Sequence, residues 1–432
     1  MKYNMKVLVI GGGGREHAII KSLKKSARIS KLYASPGNGG IGRDAECVPL
    51  KASDIQAMTD FVLKNNIDYV VVAPDDPLAI GMVDALEKKG VRCFGPHKAA
   101  ARIESSKIFA KNLMNKYNIP TAAYRHFSDP EEASFFIKSD DVSFPVVIKA
   151  DGLALGKGVV IAANAEDALN AVDSIMCDKK FGESGSSVVI EEFLEGHEVT
   201  VLAFTDGKTV VPMISSMDHK RAFDGNTGPN TGGMGVIAPN PHYTEKIASE
   251  CEKTIFLPTI RAMEKEGCPF KGCLYFGLML TPRGPMVIEY NARFGDPETQ
   301  VILPLLETDL FDIMEAVTDE KLASLDIRWK NAHSACIVLA SGGYPSHYKT
   351  GFPISGLNDD GKAADGVSID NEINIFHAGT EYKDGVFYTV GGRVLGVTSV
   401  SFNLSSALEK AYKTAGIITF NDIHYRKDIG KY

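Results

Sequence analysis

The chain has no paired cysteines. Its seven cysteines stand apart at positions 47, 93, 177, 251, 268, 273 and 336, with no CxxC and no Cys/His spacing of a zinc site. The odd count and wide scatter fit reduced thiols in a cytosol better than a disulfide framework. No run approaches about 18 consecutive apolar residues, so no membrane span is expected. The N-terminus, MKYNMKVLVI, lacks the long apolar core and small-residue cleavage site of a secretion signal. Positive charge is not in excess: 47 Lys and Arg face 54 Asp and Glu, for a net charge of -7. No broad basic field therefore invites nucleic acid. Internal repeats and low-complexity segments are missing too. What remains is an ordinary globular balance, 44% apolar and 23% charged over 432 residues. It predicts a soluble, cytoplasmic α/β protein of about three domains.

Within the first hundred residues, short apolar runs alternate with helical patterns. KVLVI (6–10), KLYAS (31–35), DYVVVA (68–73) and RCFG (92–95) read as strands, with a helix from about Glu16 to Lys25. Buried Val/Ile runs separated by helices indicate a parallel sheet, whose ligand sites lie at the carboxyl ends of its strands. The segments found there, GGGGREH, SPGNGG and APDDPL, are expected to share one rim. From about residue 105 the chain turns β-rich with hairpin-like spacing. KGCLYFGLMLT (271–281) and PMVIEYNARFG (285–295) form a strand pair. After about residue 330 a smaller antiparallel unit is expected, closed by a helix over 405–416. The predicted domains are 1–104, 105–328 with a lid at about 122–190, and 329–432.

GGGGREH (11–17) follows a strand, but it is not a dinucleotide fingerprint. The third glycine of G-x-G-x-x-G falls on Glu16 or His17, and the second strand ends in Ala34, Ser35 and Pro36 with no acid for a ribose. The general feature survives: amides at a helix N-terminus, suited to an anion, with Arg15 beside them. A tight strand–helix turn with no ligand is the alternative.

Four later stretches carry chemistry. VIKADGLALGKGVVIA puts Lys149 at a strand end and Lys157 among Gly152, Gly156 and Gly158, which suits a flap over phosphates. No Ser or Thr follows to hold a metal, so it is not a P-loop; a plain hairpin turn is the alternative. SVVIEEFLEGHEVT offers Glu191, Glu192, Glu195 and Glu198 around an apolar pair, enough for adenine and ribose, or an acidic solvated turn. In IEYNARFGDPETQ, Glu289 and Asn291 share one strand face, as i and i+2 side chains do, and their oxygens suit Mg²⁺. Arg293 lies on that face if the strand continues, placed to stabilise a transferring phosphoryl group. A structural ion-pair network with Asp296 and Glu298 competes. DHKRAFDGNTGPNTGGMG (218–235) is a long polar loop whose Lys220, Arg221 and amides near Gly232–Gly233 can grip an anion, or which is a plain surface loop.

Taken together, VLVIGGGGREHA, SPGNGG, VIKADGLALGKGV, VIEEFLEG, GPNTGGMG, VIEYNARFGDPETQ, SGGYP, GGRVLGVT and RKDIG run from end to end of the chain. In them the sequence resembles the glycinamide ribonucleotide synthetases, the phosphoribosylamine–glycine ligases of the ATP-grasp superfamily. RFGDPETQ and GPNTGGMG are the most specific blocks. Departures are small: Asp75 where glutamate is general, Asn226 where aspartate is usual, and Ser105 where glycine is common.

The resemblance implies a fold: an N-terminal parallel α/β domain, an ATP-grasp domain with a mobile β-rich lid, and a small mixed C-terminal domain. It implies a reaction of ATP, glycine and 5-phosphoribosylamine through a glycyl phosphate, the second step of de novo purine synthesis. Mg²⁺ or Mn²⁺ would assist. The roles implied are phosphate contacts for Lys107, Lys149, Gly156, Lys157 and Gly158; adenine for Glu191, Phe193 and Leu194; ribose for Glu198; and metal for Glu289 and Asn291. Arg293, Lys220 and Asp218 would be catalytic. Gly13, Arg15, Glu16, Gly37, Asn38, Asp75, Arg221, Asn230, Thr231, Gly232 and Gly233 would meet the small substrates. No nucleic acid or membrane partner is implied, and a stand-alone monomer or weak homodimer is expected. The rivals are another ATP-grasp ligase, which should lack RFGDPETQ with GPNTGGMG, an NAD-dependent oxidoreductase, and a silent nucleotide binder, against which Lys149, Glu289 and Asn291 speak.

Overall fold

The protein is described here as a computed structural model covering residues 4–154, 158–178, 182–364 and 372–431. Its N-terminal region holds a five-stranded parallel sheet, in the order 46–47, 29–36, 5–11, 69–72 and 92–94. Strand Met5–Gly11 is central and almost wholly buried, because helices cover both faces; this is why it reads as an unbroken apolar run. Helix Gly14–Leu23 starts two residues earlier than expected and ends two earlier. The loops after Gly11 and Pro36 do meet at one rim. Gly37 N–H donates to the Gly11 carbonyl at 3.1 Å. Gly12 has no room for a side chain: a Cβ there would sit 2.4 Å from the Gly37 carbonyl oxygen.

The described residues of 124–192 form the β-rich unit expected as a lid at about 122–190. Four antiparallel strands, in the order 124–127, 188–192, 146–150 and 159–162, pack against helices Pro130–Ile137 and Ala165–Val172 around their own small core. A second antiparallel sheet, in the order 210–212, 197–206, 271–281 and 284–291, forms the floor. Its last strand ends at Asn291, so the expected continuation to Arg293 does not occur. The chain turns instead, and Phe294 stacks on Phe94 at 5.9 Å and meets Phe204 edge-on at 6.0 Å. That buried aromatic contact fixes the turn between the N-terminal sheet and the floor.

The C-terminal sheet is antiparallel, in the order 217–218, 235–238, 333–341, 393–401 and 373–377. Helix Leu404–Ala415 covers it. Two of its strands come from the middle of the chain, so the loop 218–235 is not free. It leaves from and returns to this sheet, and carries its own hairpin, Arg221–Phe223 with Thr227–Asn230. The sheet therefore crosses the boundary drawn near residue 329. Among the described residues, no helix is long and apolar enough to cross a membrane.

Candidate active site

One cleft of about 1480 Å³ lies where lid, floor, N-terminal sheet and C-terminal sheet meet. Its deepest ionic feature is a triad. Lys149, at the end of a lid strand, places Nζ 2.9 Å from Glu191 Oε1; Lys111 Nζ lies 2.8 Å from Glu191 Oε2. All three side chains are at most 5% exposed. Lys149 also donates to the Ile288 carbonyl at 3.0 Å, which ties lid to floor. Glu191, expected beside an adenine, lines the cleft with each of its oxygens facing an ammonium, so it also braces the two lysines. Burial lowers the Lys111 ammonium to about 8, against the pull of Glu191.

Phe193 and Leu194 follow and line the same wall. Lys107 opens helix Lys107–Lys116 and donates to the Gly152 carbonyl at 3.1 Å, so it bridges helix and flap. Gly158 lines the cleft, while Gly156 and Lys157 lie outside the described residues.

On the floor, Glu289 and Asn291 share one face, while Tyr290 points the other way to bond Thr259 at 2.9 Å. Burial pushes the Glu289 carboxyl up, but Lys220, Lys149 and Lys107 outweigh it and hold the group below its usual range. An ionised carboxylate beside an amide oxygen fits a hard divalent cation that keeps waters and takes its other ligands from phosphates. Among the described residues no group of three or more His, Cys, Asp or Glu is placed to hold a metal ion. Lys220 spans two acids: Nζ is 2.9 Å from Glu198 Oε2 and 3.9 Å from Glu289 Oε1.

Arg293 reaches the cleft from beyond the strand end. Its Nη2 lies 3.0 Å from Glu104 Oε1 and 3.8 Å from Asp75 Oδ2, and Nη1 donates to the Phe294 carbonyl at 3.2 Å. Glu104 Oε2 accepts the Ala292 N–H at 2.7 Å. Burial raises the Glu104 carboxyl to about 7 even against Arg293. At the N-terminal rim, Arg15 and Asp75 line the cleft, whereas Gly13, Glu16, Gly37 and Asn38 are not among its lining residues. Their bonds explain why. Glu16 accepts from Gly13 N–H at 2.6 Å and pairs with Arg15 Nε at 2.5 Å. Asn38 donates to the Gly12 and His377 carbonyls and accepts from Ile41 N–H. Both side chains are spent shaping the loops that present Arg15.

The remaining wall comes from 218–233. Asp218 lines it; burial and Glu298 push its carboxyl well above the carboxylate range, against Lys220 and Arg393. Thr231 Oγ1 donates to the Lys220 carbonyl at 2.8 Å and accepts from Gly233 N–H at 3.0 Å. Gly233 has φ +108°, and a Cβ there would stand 2.5 Å from Pro297 and 2.6 Å from Asp218. Arg221, Asn230 and Gly232 line the cleft, with Arg221 Nη1 donating to the Gly228 carbonyl at 2.8 Å. Several charged residues of the site escaped the sequence reading as functional, Arg426 and Asp428 among them. Asp296 and Glu298 sat in RFGDPETQ but looked like a structural network, and Arg393 sat in GGRVLGVT. Glu104 and Lys111 carry no motif signal at all.

Comparison with known proteins gives a consistent picture. Three family profiles match in chain order: "Phosphoribosylglycinamide synthetase, N domain" over residues 5–104, its ATP-grasp (A) domain over 105–299 and its C domain over 334–432. A phosphoribosylamine–glycine ligase of Caldanaerobacter subterraneus is 48% identical, over 98% of this chain and 99% of that one. A trifunctional purine biosynthetic protein of Gallus gallus is 46% identical over 98% of this chain, which spans 42% of that longer protein. The crystal structure of a phosphoribosylamine–glycine ligase from Thermotoga maritima superposes with a TM-score of 0.83, at 34% identity, covering 98% of this chain and all of that one.

Proposed function

Because the chain belongs to the phosphoribosylglycinamide synthetase family, we infer that it joins glycine to 5-phosphoribosylamine at the expense of ATP. The products are glycinamide ribonucleotide, ADP and phosphate, and the step belongs to purine biosynthesis. One observation carries the residue assignments: buried lysines, the Glu289–Asn291 face and Arg293 converge on one cleft that Arg15 and Asp75 close from the N-terminal sheet.

A glycine carboxylate is a poor acyl donor until one oxygen becomes part of a phosphate leaving group. In the proposed path that oxygen attacks the γ-phosphorus of ATP, and the bond to ADP breaks. The amine of phosphoribosylamine then attacks the acyl carbon, phosphate leaves, and the new amide nitrogen loses a proton. Lys149 and Lys107 would hold the ATP phosphates, and Phe193 and Leu194 the adenine. Glu198 would face the ribose. Arg293 would spread the charge of the transferring phosphoryl group, held on its aim by Glu104. Glu289 and Asn291 would hold Mg²⁺ or Mn²⁺, which when bound neutralises phosphate charge. Arg15 and Asp75 would meet phosphoribosylamine, and the 218–233 wall would meet glycine and its acyl phosphate. This path requires no protein nucleophile. ADP release with each substrate omitted in turn tests this reading. It stands if ADP forms only with glycine and freshly generated phosphoribosylamine together, and falls if another acceptor drives turnover.

A further inference from the structure

The hairpin Arg221–Phe223/Thr227–Asn230 is poorly supported by its own contacts. It is a two-stranded ribbon with an irregular register, most of it is exposed, and an isolated hairpin of this kind is marginal in water. Yet it carries Arg221 and Asn230 onto the cleft wall. What holds it comes from some 200 residues away, at the C-terminal tail.

Arg426 is only 2% exposed. Its Nε and Nη2 donate to Asp428 Oδ1 and Oδ2 at 2.8 and 2.9 Å. Its Nη1 donates to the Arg221 carbonyl at 3.1 Å and to Asn226 Oδ1 at 3.4 Å. Asp428 in turn accepts the Gly225 N–H at 2.8 Å, and Asp224 accepts the Lys427 N–H at 2.8 Å. His424 Nε2 donates to the Ala222 carbonyl at 2.8 Å. His219, just before Lys220, accepts the Gly430 N–H through Nε2 at 3.1 Å. The tail thus bonds the hairpin along its first strand and at its turn.

We propose that residues 424–430 form a latch, with Arg426 as the positioning residue that holds the 221–230 hairpin in its place for the amine and amino-acid substrates. Arg426 and Asp428 themselves line the cleft, and among the described residues no hydrogen bond or ion pair of the latch reaches the lysine triad or the Glu289–Asn291 face, so it acts on one half of the cleft. The proposal rests on the reading of that half as the small-substrate side. Buried, fully bonded guanidinium groups are costly to break: removing one partner strands the others without replacement.

The test compares Arg426→Ala, Arg426→Lys and Asp428→Asn with the unmodified chain by two readouts. The first is amide hydrogen exchange over residues 221–230, which needs no turnover. Faster exchange there in Arg426→Ala and Asp428→Asn, with partial recovery in Arg426→Lys, is expected; unchanged exchange overturns the latch even if the ligase reading also fails. The second is the separate KM for phosphoribosylamine, glycine and ATP. A rise of at least about ten-fold for a small substrate is expected, with ATP within about two-fold, as for loss of roughly one charge-assisted contact. Equal losses for all three, or none, overturn the positioning role. If Arg426→Ala does not fold, Arg426→Lys and Asp428→Asn carry both readouts.

Discussion

Two buried histidines join the N-terminal helix to the C-terminal sheet, and they predict a specific weakness in acid. His17 donates from Nε2 to Asp44 Oδ2 at 3.1 Å and accepts the His377 N–H on Nδ1 at 2.8 Å. The ring is 1% exposed. Both nitrogens are used as a neutral tautomer uses them, so a second proton would have to displace the His377 N–H. Burial lowers His17 from 6.5 to about 4; the Asp44 bond pulls it back up, while Lys21 and Lys24 push it down. His377, lowered to about 3 first by burial and then by His17, sits 5.6 Å away. A base with a depressed folded value binds its proton only in the unfolded chain over the interval between the two values. Stability is therefore lost as pH falls from 6.5 towards 4. For His17 alone the loss is about 2 kcal/mol between pH 7 and pH 5, on linkage arithmetic. Glu104 works the other way: with its carboxyl raised from 4.5 to about 7, it costs stability as pH rises through that interval. A single pH profile would mix the two. Urea unfolding of the unmodified chain and of His17→Asn, at pH 7 and pH 5, isolates the term. Asparagine keeps an acceptor for the His377 N–H and cannot take the proton. The stability gap between the two proteins should shrink by about 2 kcal/mol at the lower pH. A gap that stays constant would refute the neutral-histidine junction.

Three further outcomes follow from the cleft. Glu289→Gln should abolish turnover at saturating Mg²⁺ while circular dichroism and melting stay native; near-normal turnover would sink the metal assignment. Arg15→Ala should raise the KM for phosphoribosylamine by about 10-fold or more, the worth of a charge-assisted hydrogen bond, and leave that for ATP alone. An unchanged KM for phosphoribosylamine would remove Arg15 from the substrate. Glu191→Gln strips the counter-charge from two buried lysines, at a cost of about 3–5 kcal/mol, and should weaken ATP binding measured by calorimetry. A variant that melts and binds ATP like the parent would mean Glu191 is no strut.

The fold was legible wherever periodicity or a glycine pattern spoke for a local event. The Val/Ile runs gave the parallel sheet, since strands buried on both faces need no polar alternation. The composite C-terminal sheet was not legible, because residues 235–238 pair with a strand about a hundred residues on and 217–218 join the sheet only through them, and no local pattern encodes a partner. The same holds in the site. Glu289 and Asn291 were readable as an i, i+2 pair on a strand. Arg293 was assigned for a wrong local reason: it reaches the cleft by a turn that Phe294 anchors, not by strand continuation. Lys111 lies on an ordinary amphipathic helix, where one lysine looks like any other. Only its 2.8 Å approach to Glu191 distinguishes it.

That difference matters for how the cleft meets a polyanion. Its main cations are already paired: Lys149 with Glu191, Arg293 with Glu104, Arg393 with Asp296, and Lys220 with Glu198. A phosphate must either join such a pair or displace its acid. Glu191 and Glu104 cannot yield, since each is buried and holds a second group, Lys111 or the Ala292 N–H. Asp296 is likewise engaged with Gln300. Glu198 differs: its side chain is 50% exposed, and water can solvate it as it leaves Lys220 at little cost. On the proposed reading Lys220 would be the cation most readily transferred to an incoming phosphate, while Lys149 and Arg293 would serve as fixed charges whose direction is set before any ligand arrives. Exchange at Lys220 and preorganisation at the other two would then divide the work of the site between capture and stabilisation.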